Sequence, residues 1–210
     1  MDMTRSDPRL ALAVDLPGFF REALTSAMAE RGVAATEPTE QYLVALLTDF
    51  AHPGSFARET LARPLPLLLE EAYAAAGRER FERLRTLGDA VLYTSGFFAD
   101  HLQTRGVELG YVSAMGARAY GGAATMLRSP RAASPGESVP ELFEELADKF
   151  KRFAEVLATL ADGMYANSAQ TSDTNALKTY ERWLKTGSTQ LAAALTERGM
   201  FPTRGQGGLH

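Results

Sequence analysis

Apolar residues recur every three or four positions along almost the whole of this chain, and the period-two alternation that marks a half-buried strand is scarce. That spacing commits the backbone to α-helix, because only a 3.6-residue period gathers such positions onto one face. The longest run is Phe81, Leu84, Leu87, Val91, Leu92, Ser95, Phe98 and Leu102. Leu10–Val14 (LALAV) is the single stretch that could pass for a strand. The fold class expected is all-α: a single-domain, non-repeating bundle of about six to eight helices.

Caps and breakers divide the pattern. Asp15 ahead of Leu16-Pro17 reads as an N-cap with proline in the first turn, and Gly32 reads as a C-terminal stop, giving a helix over about 17–31. Thr36 or Thr39 can cap a second helix with Leu43, Leu46, Leu47 and Phe50 inward, ended by His52-Pro53-Gly54. Pro64 and Pro66 introduce a third, apolar on most sides and therefore expected deep, running to Gly77. The long helix from Arg78 to Gly106 must absorb Gly88 and Gly96 at about 1 kcal/mol each. Val107–Leu127 follows.

Residues 128–139 have the Ser, Pro and Gly content of an exposed loop. From Pro140 a helix carries Leu142, Phe143, Leu146, Phe150, Phe153, Val156, Leu157 and Leu160 inward, with Glu144, Glu145 and Lys149 for the wet side. Asp173 begins the last long helix, in which Leu177, Tyr180, Trp183, Leu184, Leu191 and Leu195 face inward until Gly199. The domain expected is 1–199, with a loose tail over 200–210.

At 210 residues the chain can bury a substantial core but is short for two domains. With 45% hydrophobic and 23% charged residues it lies far from the composition of disordered chains. A net charge of -4 argues against a dedicated nucleic-acid binder, since phosphate backbones demand clustered Lys and Arg. The arginine-rich stretch 77–85 is interspersed with Glu79 and Glu82 and reads as a salt-bridged helix face. With no cysteine there are no disulfides, thiolate metal sites or thiol nucleophiles, which fits a cytoplasmic protein. No apolar run reaches the ~18 residues of a membrane span, and no secretory signal is visible at Asp2 and Asp7.

Phosphate loops, nucleophile elbows, zinc-protease helices and EF-hand spellings are all missing. His52, His101 and His210 have no partner at ligand spacing, so no metal, cofactor or catalytic residue is assigned. The densest polar candidates lie on two neighbouring helices. Arg85, Asp89 and Tyr93 are successive i, i+4 neighbours, while Tyr111, Met115 and Arg118 share a face of the next helix. If the faces meet, Asp89, Tyr93, Tyr111 and Arg118 can form a ligand pocket in which Arg118 grips an anion, or a structural ion pair of Asp89 with Arg118. On the same second helix Ser113, Ala117 and Gly121 repeat every four residues, a close-packing face for a neighbouring helix or a second copy.

Three motifs, Tyr42-Leu43-Val44-x-Leu46-Leu47, Leu87-Gly88-Asp89-x-x-Leu92-Tyr93-x-Ser95-Gly96-Phe97-Phe98 and Tyr180-Glu181-Arg182-Trp183-Leu184-x-Thr186-Gly187, carry a resemblance. In them the chain resembles a family of bacterial all-helical proteins with no assigned activity, over about residues 40–200. The resemblance implies one domain and no chemistry. The functional expectation is a non-catalytic helical interaction or regulatory protein, acting on a protein partner or by self-association. The alternative is a small-molecule-binding or enzymatic bundle using Asp89, Tyr93, Tyr111 and Arg118.

Overall fold

In the computed structural model, which describes residues 8–52, 63–99, 108–128 and 139–203, every regular element is a helix. In chain order these are α1 (Pro8–Arg31), α2 (Glu37–Ala51), α3 (Leu65–Ala74), α4 (Gly77–Phe97), α5 (Leu109–Leu127), α6 (Val139–Asp148), α7 (Phe150–Ala169), α8 (Asp173–Thr186) and α9 (Thr189–Glu197). The loop expected over 128–139, apart from its ends, lies outside the described residues, as do His101, His210 and the tail from residue 204.

Nine described helices exceed the expected six to eight because two long runs are broken. Gly187 adopts φ 69°, which a side chain resists, and its N–H bonds Trp183 O. Ser188 then accepts from Leu191 N and opens α9. The other break is a bend at Lys149, φ -99° and ψ 13°, between α6 and α7. It leaves Phe143 and Leu146 buried on one side and Phe150 and Phe153 on the other.

The first helix also differs from expectation. It begins at Pro8 and runs through Pro17, so Asp15 is not its cap and Leu10–Val14 is helical. Two prolines compete for the first turn; the earlier one takes it, and Pro17 costs the interior one backbone hydrogen bond. Gly32 does end α1: with φ 60°, its N–H reaches Ala29 O while Val33 N–H reaches Met28 O.

The centre of the bundle is α4, packed most extensively on α5 and then on α7. Its two interior glycines, Gly88 and Gly96, are sites of helix contact. A Cβ on Gly88 would lie 2.6 Å from the Tyr120 ring, and one on Gly96 would lie 2.4 Å from Leu157 Cβ. On α5 the corresponding position is Gly116, whose Cβ would meet Phe150 at 2.2 Å and Val91 at 2.9 Å. The close-approach face of α5 is therefore Gly116 with the buried Val112, Ala119, Tyr120 and Ala123. Ser113, Ala117 and Gly121 are half-buried beside it, and a Cβ on Gly121 would lie 3.9 Å from Ala147 Cβ of α6.

Three placements are corrected. Helix α3 is shallow: only Leu69 and Ala72 are buried and Leu67 is 42% exposed. Gly77 opens α4 rather than closing α3. On α8, Leu177 and Leu184 are 55% and 44% exposed, and Ala176, Thr179, Arg182 and Trp183 turn inward. An aliphatic pattern reader picks the leucines, but burying Trp183 and satisfying Arg182 rotates the helix away from them. With Leu191 and Leu195 of α9, Trp183 builds a second, smaller core beside the main one.

Candidate functional site

Asp89 projects from the central helix between the buried Leu87 and Val91. Its Oδ1 accepts from the Tyr42 hydroxyl of α2 at 2.5 Å and from the Tyr120 hydroxyl of α5 at 2.8 Å. One carboxylate oxygen thus joins three helices. The sequence Leu87-Gly88-Asp89 makes this possible: the missing side chain at Gly88 is the space the Tyr120 ring occupies on its way to Asp89. That ring is fully buried, tilted against Phe143 and Phe150 with centroids 5.9 Å from each.

Burial pushes the Asp89 carboxyl up to about 6, against the opposing pull of the two phenolic hydrogen bonds and the Arg85 charge. Burial, reinforced by the Asp89 charge, drives both Tyr42 and Tyr120 far above the ordinary phenol range. Both phenols therefore serve as hydrogen-bond donors and not as nucleophiles at neutral pH. Arg85 bonds Glu82 at 3.0 Å, and its Nε is buried without a hydrogen-bond partner among the described residues.

The four residues expected around one pocket occupy separate surroundings. Asp89 pairs with the tyrosines and not with Arg118. Tyr93 is sandwiched between Phe50 and Phe97, with centroids at 4.5 and 4.7 Å and nearly parallel rings. Tyr111 is exposed at the start of α5. Arg118 is exposed further along α5, where its backbone carbonyl accepts from the Tyr73 hydroxyl.

Other polar groups that matter were not singled out from the sequence. Arg182 is buried and bonds Asp162 of α7 at 2.6 Å and Phe97 O, at the end of α4, at 2.9 Å, with its guanidinium 4.9 Å above the Tyr165 ring. Its place between Tyr180 and Trp183 was the available signal. Glu145, expected on the wet side, is only 11% exposed in its side chain and bonds Thr36. Among the described residues no group of three or more His, Asp or Glu is placed to hold a metal ion, and no helix is long and apolar enough to cross a membrane. The chain was compared with known protein families, curated proteins and solved structures, and nothing matches it.

Proposed function

We propose that the protein is a non-catalytic helical interaction protein, working through the outer faces of its helices on a protein partner or on a second copy of itself. The observation that carries this reading is the use made of Asp89. The acid best placed for chemistry has Oδ1 doubly engaged by Tyr42 and Tyr120, an arrangement that fixes helix register. Large apolar side chains meanwhile stand on the outside of three helices, Phe19 on α1, Tyr111 on α5 and Leu177 on α8. Aromatic and aliphatic side chains of this size are the usual anchors of protein contacts.

The test is sedimentation velocity of the pure protein, together with cross-linking mass spectrometry in cells that make it. The expected result is an assembly whose cross-links come from the outer faces of α5 or α8, and which Leu177→Asp or Tyr111→Asp dissolves without lowering the melting temperature. A monomer at all concentrations that cross-links to no other chain overturns the reading. So does an assembly indifferent to both substitutions.

A further inference from the structure

An open cleft of about 310 Å³ lies between α3, the first turn of α4 and the second half of α5, lined by Tyr73, Arg80, Arg118, Gly122, Thr125 and Met126. Among the described residues no carboxylate lines it. Most described arginines are neutralised, Arg31 by Glu155, Arg128 by Glu144 and Arg182 by Asp162 among them. Arg80 and Arg118 hold no carboxylate among the described residues, and they face the same concavity. In a chain of net charge -4, two unneutralised guanidiniums around one space run against the average.

The cleft is also built rather than accidental. Arg80 is half-buried, and its Nε donates to Ala75 O at 2.7 Å, which anchors the guanidinium at the end of α3 and leaves the outer nitrogens for another acceptor. Gly122 makes the floor: a Cβ there would lie 2.6 Å from the Tyr73 hydroxyl oxygen, so a side chain at this position would push the Tyr73 ring outward from α5. The Thr125 hydroxyl donates to Gly121 O and keeps its lone pairs. Met126 and the Tyr73 ring supply an apolar wall beside the charges.

We propose that this cleft binds a small organic phosphomonoester, with the dianionic phosphate between Arg80 and Arg118 and the organic body against Tyr73 and Met126. Two planar, permanently charged forks match a group with two negative charges and several acceptor oxygens better than a single carboxylate.

The experiment is calorimetric titration of the whole protein with phenyl phosphate at pH 8, where the phosphate is dianionic, and with benzoate as the singly charged counterpart. Phenyl phosphate is expected to bind at one site, at least tenfold more tightly than benzoate. Arg118→Ala should weaken it at least tenfold, while Arg152→Ala, at an exposed arginine of α7, should leave it unchanged. Arg80→Lys is the second variant, because it keeps a charge near the end of α3 yet removes the fork, and it too should weaken binding. Absence of saturable binding overturns the proposal, as does equal binding of benzoate, an unaffected Arg118→Ala, or a loss in Arg152→Ala equal to that in Arg118→Ala.

Discussion

Glu145 of α6 caps the N-terminus of α2 from outside the helix: its Oε2 accepts from the Thr36 hydroxyl at 2.7 Å and from the Thr36 backbone N–H at 3.1 Å. The N-cap side chain itself accepts from no backbone N–H of the first turn of α2 and bonds only the Thr39 hydroxyl there, at 3.1 Å. A carboxylate from another element therefore does the work, at the end of the helix where its charge is also favoured by the backbone dipole. Lys149 holds the other oxygen of Glu145 at 2.7 Å and reaches Ala34 O at 2.9 Å, tying the bend between α6 and α7 to the α1–α2 turn.

Glu145→Ala is accordingly expected to destabilise the fold by about 2 kcal/mol, the scale of a lost cap together with a charge-assisted bond. The pH dependence has a definite sign. Burial raises the Glu145 carboxyl, but the hydrogen bonds from Lys149 and Thr36 outweigh it and hold the folded value near 2, below the ordinary 4.5. Its contribution is therefore complete above pH 4.5 and is lost as pH falls from there towards 2. Urea melts at pH 7 and pH 3 check this: wild type and Glu145→Ala should converge in acid, and a gap that persists undiminished at pH 3 refutes the assignment.

Asp89 carries the opposite sign. Its folded value near 6 lies above the ordinary 3.8, so the folded state binds this proton more tightly than the unfolded chain does. The ionised carboxyl costs stability above pH 6, and that cost is relieved as pH falls through 6 towards 3.8. Asp89→Asn keeps an oxygen to accept from Tyr42 and Tyr120 while removing the charge. Relative to wild type it should gain on the order of 2 kcal/mol between pH 5 and pH 8. Asp89→Ala strands both hydroxyls and should destabilise by about 2–4 kcal/mol at either pH. Denaturant melts of the three proteins at both pH values measure it; a difference between Asn and wild type that does not move with pH removes Asp89 as the titrating group.

How far the fold was legible follows from what each residue answers to. The stripe from Leu142 to Leu160 was readable because its members follow the helical spacing, and the structure buries every one of them, although the bend at Lys149 that divides the run was not foreseen. Gly88 and Gly96 looked like costs to α4, because the quantity that decides them, the nearness of Tyr120 and Leu157, belongs to helices distant in the chain. Leu177 and Leu184 fit the inward period yet face out, since the rotation of α8 is set by Arg182 reaching Asp162 and Phe97 O. The surroundings of the candidate residues were hidden in the same way. Asp89 was visible as a polar residue on a buried face, but its partners Tyr42 and Tyr120 are 47 and 31 positions away and each reads locally as a core aromatic.

The Arg182–Asp162 pair joins the second core to the main one. Both side chains are nearly buried, at 7% and 13% exposure, so removing one leaves a charge without its partner in a poorly solvated place. Arg182→Ala should cost about 3–5 kcal/mol. Arg182→Lys keeps the charge, but a single ammonium has no planar fork with which to span Asp162 and Phe97 O, and it should recover less than half of that loss. Guanidinium melts followed by Trp183 fluorescence report the second core directly; wild-type stability in either variant would show that the pair does not join the two cores.

Two glycines on neighbouring helices give the sharpest test of the central packing, because their helix propensity is the same and only their surroundings differ. Replacing a helical glycine by alanine ordinarily stabilises by about 0.5–1 kcal/mol. At Gly121 the nearest atom to a new Cβ is Ala147 Cβ at 3.9 Å, an ordinary contact, so Gly121→Ala should show that gain in full. At Gly88 the new Cβ would meet Tyr120 at 2.6 Å, and the ring can retreat only by withdrawing its hydroxyl from Asp89. Overpacking of this kind costs about 1–3 kcal/mol and here adds the lost hydrogen bond, so Gly88→Ala should destabilise by more than 2 kcal/mol net. In the background of Tyr120→Phe the hydrogen bond is already gone, and the penalty at Gly88 should shrink by about 1 kcal/mol. Thermal and urea melts of wild type and the four variants decide it: additive effects of Gly88→Ala and Tyr120→Phe would mean that the glycine does not serve the Tyr120–Asp89 bond.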